Sequence, residues 1–341
     1  MNTLAQFFET YLPQIEAEML NVVSTNESML GEQPHTLTTM SRYHLGFANA
    51  DGTLARITSG KRIRPILVLL TCLASGGSAE TAMPAAAAVE LLHNFSLIHD
   101  DIEDGDDLRR GRLTLWRVWG LAQGVNTGDV MFSLAHLALE RLTDHSVPAE
   151  RVIQALRVFD QMCLGLTIGQ HLDIGFEQRT DVTAAEYMHM IEGKTAALTT
   201  ACCKIGGIVA GANADQVAQL GAFGRGLGIA FQLQDDILGI FGDSSVTGKG
   251  NGDLARRKKT LPVLRALERD HSLRPIYYGN APLNIPDMKE RIEGLGGRSY
   301  TENLAERTYA DAIHALDHAN LNPDAVNLLK TLAQSLLGRT S

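Results

Sequence analysis

Apolar residues recur at spacings of three and four along most of the chain, which predicts helices at 2–23, 62–76, 80–104, 124–143, 148–174, 183–211, 214–241, 300–319 and 323–338. Alternating β-branched runs are few, so the fold class is all-α. The stretch from Leu273 to Gly297 interrupts the pattern with Pro275, Pro282, Pro286 and paired glycines, and reads as a loop-rich excursion before the last helices. No linker rich in Pro, Gly or Ser divides the first 240 residues, so residues 1–341 are read as one helical domain.

Composition adds bounds. Hydrophobic residues make up 45% and charged residues 20%, enough for a large core and without a disorder signature. Cys72, Cys163, Cys202 and Cys203 contain no CxxC pair and suit reduced thiols in a cytoplasmic protein. Met1 to Leu20 carries Glu9, Glu16 and Glu18 but no basic residue, which argues against a signal peptide, and no apolar run is long enough to insert stably in a membrane. A formal net charge of −9 argues against a nucleic-acid partner. The basic residues are nevertheless clustered, at Lys61, Arg62 and Arg64, at Arg109, Arg110 and Arg112, and from Arg256 to Lys259. Acid clusters and basic clusters near glycines together suggest phosphate groups held through metal ions.

The densest chemistry lies between 100 and 107, where only Ile102 and Gly105 are not acidic. Like charges one helical turn apart repel, so this run needs positive partners. These are either Arg109, Arg110 and Arg112 or a metal: Asp100 and Asp104, at i,i+4, point the same way, with Asp101 beside them. A second pair, Asp235 and Asp236, sits among Ile229, Phe231, Leu233, Ile237 and Leu238 on a helix with little polar face, so these carboxylates need a metal or an ion pair with an arginine such as Arg225. Two basic segments flank these pairs. Gly60-Lys61-Arg62-Ile63-Arg64-Pro65 offers cations at a helix start, and Thr247 to Gly252 is a glycine loop carrying Lys249, followed by Lys258. Neither Gly193-Lys194-Thr195 nor Gly248-Lys249 completes a nucleotide phosphate loop, and Gly224, Gly226 and Gly228 do not complete a dinucleotide fingerprint. Glu90-x-x-His93 and Glu186-x-x-His189 leave open a di-iron carboxylate bundle.

In these motifs the chain resembles the trans-isoprenyl diphosphate synthases, the polyprenyl synthetase family. The motifs at 60–65, 100–104, 108–112, 193–195 and 231–236 fall in the family's order, and the members it most resembles are bacterial geranylgeranyl diphosphate synthases. The resemblance implies a bundle of long antiparallel helices around a deep central cavity, and a prenyltransferase that condenses isopentenyl diphosphate with an allylic diphosphate. It implies about three Mg²⁺ ions bound by Asp100, Asp101 and Asp104 and by Asp235, with Asp236 behind it. Arg109, Lys194, Lys249 and Lys258 are implied to hold the allylic diphosphate. Gly60, Lys61, Arg64, His93 and Arg110 are implied to hold isopentenyl diphosphate. Thr195, Gln232 and the Lys194 carbonyl are implied to face the cation, and a homodimer is implied.

Family experience sets chain length at Phe95, the fifth residue before the first aspartate, with Ser96 beside it. A rotation of about 100° per residue places Ser96 more directly below Asp100. A twenty-carbon product is expected, with farnesyl or longer polyprenyl diphosphates as the alternative products. One departure is Gly239, where the second motif commonly carries a third aspartate; Asp243 is a candidate replacement. A class I terpene cyclase would not need Lys61, Arg64 and Arg110, and a non-catalytic partner subunit would have degraded motifs.

Overall fold

The structure is a computed structural model that describes residues 3–30, 36–57, 60–242 and 252–338. The chain divides into two compact units. One holds Met1–Arg157, Lys204–Ala214 and Leu321–Leu329, the other Val158–Cys203, Asp215–Asn320 and Lys330–Ser341. The division at Arg157 falls inside a continuous helix, Ala149–Glu177, rather than in a linker.

In the first unit the central element is α5, Ala79–Glu103, whose Ala85 to Ala88 run is wholly buried. Small side chains let it pack closely on α4, Ile63–Ala74, and α7, Leu121–Glu140, with α1, Leu4–Thr25, also against it. The short helices α2, Glu27–Leu30, α3, Leu37–Leu45, and α6, Leu115–Trp119, complete this unit's edge. Helix α3 escapes the apolar pattern because Thr38, Thr39 and Ser41 make up much of its buried face. Ser78 caps α5 by accepting from the Thr81 N–H at 3.2 Å. The other end closes at Gly105, whose φ of 66° a side chain would resist. There the N–H groups of Gly105 and Asp106 return to the carbonyls of Ile102 and Asp101, at 3.3 and 2.9 Å. The only paired strands among the described residues follow, β1 Leu108–Arg109 and β2 Arg112–Leu113, antiparallel. Their two-residue turn has Arg110 at φ 53° and Gly111 at φ 77°, the primed hairpin geometry.

The second unit is built on α8, Ala149–Glu177, from Val158 onward, on α9, Ala184–Ile191, on α10, Ala197–Ala210, up to Cys203, and on α11, Ala214–Phe241. Sequence periodicity predicts one helix over 183–211, but five residues, Glu192–Ala196, form a π-helical turn between α9 and α10. The segment predicted to be loop-rich is also corrected, because it contains helices Arg274–Tyr278 and Ile285–Gly294. Pro275 and Pro286 stand in the first turns of those helices, where the missing N–H has no intrahelical partner to lose. Further helices run over Leu261–Arg269 and Gly297–His318, while Pro323–Leu337 closes the chain. No described helix is long and apolar enough to cross a membrane.

Candidate active site

The first unit gathers positive charge around two histidines. Arg62 takes the N-cap of α4 at φ 48°, and its buried guanidinium pairs with buried Glu90 of α5 at 2.8 Å. This anchors the turn that carries Gly60, Lys61 and Arg64. Arg64 donates from Nη1 to His93 Nε2 at 3.1 Å. Burial and the arginines Arg64, Arg110 and Arg109 hold His93 well below the usual imidazole range, so it is neutral and accepts this bond. His93 therefore orients Arg64 rather than adding charge. The Arg110 guanidinium lies over Gly60, where an added Cβ would sit 3.4 Å from Nη2. Gly60, Arg64, His93 and Arg110 thus come together, with Lys61 exposed beside them.

Arg109, Arg110 and Arg112 divide their work. Arg109 donates from Nε to Asp101 at 2.6 Å. Arg112 donates to the carbonyls of Tyr43 and Ala48, both at 3.0 Å, and lies over the Tyr43 ring, so it clamps the hairpin to α3 instead of neutralising acids. Arg110 reaches toward Gly60 from a left-handed backbone, a conformation costing about 1–2 kcal/mol. Asp101 is buried, and its carboxyl is pushed up to about 6 by burial, which outweighs the opposing Arg109 charge. Asp100 is half-buried and Asp104 exposed. Asp107 pairs with Arg117 at 3.0 Å. The last turn of α5 holds no basic residue, so its acids oppose the helix dipole as well as one another. A divalent cation on Asp100 and Asp104 would relieve both.

His44 is a candidate residue that apolar patterning misses, because it lies on α3. With Asp101, Arg109, Arg110 and Ile57 it lines a small cleft that opens to solvent. Its Nε2 is buried without a hydrogen-bond partner among the described residues, and burial, then Arg110 and Arg109, push its pKa down to about 3.

The chain-length candidates lie on two faces of α5. Phe95 turns toward α7, its ring 5.2 Å from Phe132 and 4.8 Å from His99, and Phe132 continues to His136 at 4.6 Å. Gly128 admits the His99 ring between the helices, where any Cβ would collide with it. Ser96 bonds back to the His93 carbonyl at 2.9 Å.

In the second unit the π-turn positions Lys194 and Thr195. Gly169 of α8 meets its backbone so closely that a Cβ would strike the Lys194 nitrogen, and Gly228 of α11 would strike Ala196 and Thr199. The glycines that fail as a dinucleotide fingerprint are therefore packing glycines: Gly228 meets the π-turn at Ala196, Gly224 meets Thr199 and Cys203 of α10, and Gly226 meets Ala312. One helical turn beyond Gly228, Gln232 accepts from the Thr195 hydroxyl at 2.9 Å. Lys194 pairs with Asp173. Asp235 is exposed, while Asp236 is buried and hydrogen-bonded to Tyr187, Gln232 and the Leu261 N–H. The ion pair of these aspartates with Arg225 does not form, since Arg225 pairs with Glu192. Gly239 has no side chain, but the Asp253 carboxylate fills the space its Cβ would enter. Lys258 is exposed, its backbone held by Asp253 and by the Tyr277 hydroxyl. Lys249 and Asp243 lie outside the described residues.

The di-iron reading fails on geometry. Glu90 is committed to Arg62, and Glu186 caps its own helix through Thr183 and pairs with Arg179. Among the described residues no group of three His, Cys, Asp or Glu could hold a metal by itself.

The polyprenyl synthetase family model matches residues 52–293, which includes both aspartate pairs and every basic cluster. The chain belongs to the polyprenyl synthetase family. It is a short-chain trans-prenyltransferase, acting on isoprenyl diphosphates as its family does. Among relatives, a geranylgeranyl diphosphate synthase of Mycobacterium tuberculosis is 42% identical over 87% of this chain and 86% of its own. The crystal structure of a geranylgeranyl pyrophosphate synthetase from Pyrococcus horikoshii Ot3 superposes with a TM-score of 0.85 at 31% identity, covering 98% of this chain and 97% of that one. A Corynebacterium glutamicum geranylgeranyl pyrophosphate synthase, complexed with isoprenyl diphosphate and magnesium, gives 0.80 at 25% identity over 97% and 99%.

Proposed function

We propose that this prenyltransferase joins isopentenyl diphosphate to an allylic diphosphate and stops at the twenty-carbon product. The observation that carries the site assignment is the arginine-lined group around neutral His93, two helical turns from the acids that end α5. A cluster of cations beside a cluster of carboxylates suits a diphosphate and its metal ions together.

In this reading Lys61, Arg64 and Arg110 hold the isopentenyl diphosphate, with Gly60 allowing close approach and His93 fixing Arg64. Arg109, held by Asp101, joins Lys194, Lys249 and Lys258 on the allylic diphosphate. Asp100, Asp104 and Asp235 would hold the metal ions; Asp101, which the resemblance also implies as a ligand, is tied to Arg109, and Asp236, behind Asp235, is tied to Tyr187, Gln232 and the Leu261 N–H, so these two orient their neighbours. About three Mg²⁺ ions held by these carboxylates would supply positive charge to offset the negative charge that develops on the departing pyrophosphate as the allylic C–O bond breaks. The Thr195 and Gln232 oxygens and the Lys194 carbonyl face the resulting cation. The isopentenyl double bond then attacks and a proton leaves. Phe95 and Phe132 form the floor that limits the growing tail. Exposed Leu121 and Val125, which share one face of α7, support pairing with a second copy of the chain.

The test is incubation with isopentenyl diphosphate, Mg²⁺ and allylic starters of increasing length, followed by chain-length analysis. A twenty-carbon product is expected. A terminal fifteen-carbon or much longer product overturns the length assignment, and no elongation from any starter overturns the substrate assignment.

A further inference from the structure

The Gln232 amide is fixed from the side away from Thr195. Its Nε2 donates to Asp236 Oδ1 at 3.1 Å, and its Oε1 accepts from Thr195 Oγ1 at 2.9 Å. The other carboxylate oxygen, Oδ2, accepts from the Tyr187 hydroxyl at 2.5 Å and from the Leu261 N–H at 3.2 Å. Asp236 is 2% exposed and Tyr187 3%, so water does not substitute for these bonds.

The order of donors matters. Asp236 Oδ2 is already taken by the Tyr187 hydroxyl and the Leu261 N–H, so Oδ1 is the acceptor left for the amide, which presents its NH₂ end to Asp236 and its carbonyl end to Thr195. The Thr195 proton is then used on Gln232, which leaves the hydroxyl lone pairs as its free face. Thr195 on the π-turn and Gln232 on α11 therefore both present oxygen lone pairs. A flipped amide would reverse the sign, placing NH₂ hydrogens where a cation must be stabilised. The Asp236 carboxylate prevents the flip only while it cannot rotate. Leu261 supplies a backbone donor from the first residue of its helix, and Tyr187 supplies the shorter bond from α9. Tyr187 stands seven residues before Lys194, two turns of helix away, and packs in a buried cluster with Ile191, Ala196 and Leu233. Its hydroxyl is directed at Asp236 from within that cluster.

We propose that Tyr187 is a positioning residue for the condensation: by clamping Asp236 it locks the Gln232 amide so that Gln232 and Thr195 turn only oxygen toward the developing cation. This rests on the assignment of Thr195 and Gln232 made above. Tyr187 touches neither substrate, and its effect on rate passes through two other side chains.

A double-mutant cycle tests it. Tyr187→Phe removes one oxygen and keeps the ring. With Mg²⁺ and both diphosphates, the variant should lose kcat by roughly 10- to 100-fold, while both KM values stay within about twofold. In a Thr195→Val background the same replacement should change kcat by less than about twofold, since the array it orients is already broken. Equal losses in both backgrounds make Tyr187 a packing residue and overturn the proposal, as does unchanged kcat in the single variant. Circular dichroism accompanies each variant. If Tyr187→Phe does not fold, Asp236→Asn replaces it in the cycle, with the same coupling to Thr195 expected and additivity again refuting. A wild-type enzyme that fails to elongate any starter refutes the substrate assignment instead, which keeps the two failures distinct.

Discussion

Replacing Glu90 by Gln should destabilise the first unit and weaken isopentenyl diphosphate binding together. Arg62 and Glu90 have side-chain exposures of 1% and 3%, and their atoms are 2.8 Å apart. Removing one partner of such a pair leaves the other charge buried, at about 3–5 kcal/mol. Glu16, 22% exposed and 4.0 Å from Arg62 Nε, retains part of the compensation, and Gln can still accept one bond, so about 2–3 kcal/mol is expected. For a chain of this size that is a fall in Tm of roughly 3–5 °C. Thermal unfolding followed by circular dichroism reads it. Arg62 also caps α4 between Lys61 and Arg64, so the KM for isopentenyl diphosphate should rise more than that for the allylic substrate. The double variant Arg62→Met with Glu90→Leu should recover much of the Tm, because the desolvation cost disappears with both charges, but not the KM. A Glu90→Gln protein that melts within about 1 °C of wild type refutes the reasoning, as does a double variant no more stable than the single one.

Gly239→Asp should change turnover by less than about tenfold, because the far end of the Asp253 side chain can swing aside; steady-state kinetics showing abolished activity would contradict this. Phe95→Ala and Phe132→Ala should each lengthen the product, and their combination should not exceed the larger single effect by much, since the two rings meet at 5.2 Å; product analysis with unchanged lengths would sink the floor assignment. Burial pushes the Asp236 carboxyl up to about 7, despite the bonds from Tyr187 and Gln232 that favour its ionised form. A folded-state value above the unfolded one gives stability that is complete below the ordinary carboxylate range and is lost as pH rises through about 7. Tm measured in chelator from pH 4 to 8 should therefore fall more steeply for wild type than for Asp236→Asn, and parallel profiles would refute the assignment.

Family, fold class and the main motifs are legible in the sequence because each depends on local order. Helical spacing fixes which residues share a face, and the bounds of α5, α8 and α11 follow from it within a few residues. Where residues depart from apolar periodicity, the sequence is less informative. Helix α3 hides behind its buried Thr and Ser, and with it His44; the prolines of 273–297 resemble breaks but start helices. The π-turn leaves no mark in apolar spacing; it lies where Gly169 of another helix closely approaches the backbone of Gly193 and Lys194.

The acidic and basic clusters by themselves determined that this chain must balance dense charge of both signs, and so pointed to metal and diphosphate chemistry. They did not determine what each charge does. Only the tertiary structure separated Arg112, spent on backbone carbonyls, from Arg109 on Asp101 and Arg110 over Gly60. It likewise turned Asp236 inward to Tyr187 and left Asp235 exposed, although the two are adjacent in sequence. Neighbours on a helix point about 100° apart, so one faces solvent and the other a partner that only the packed chain supplies.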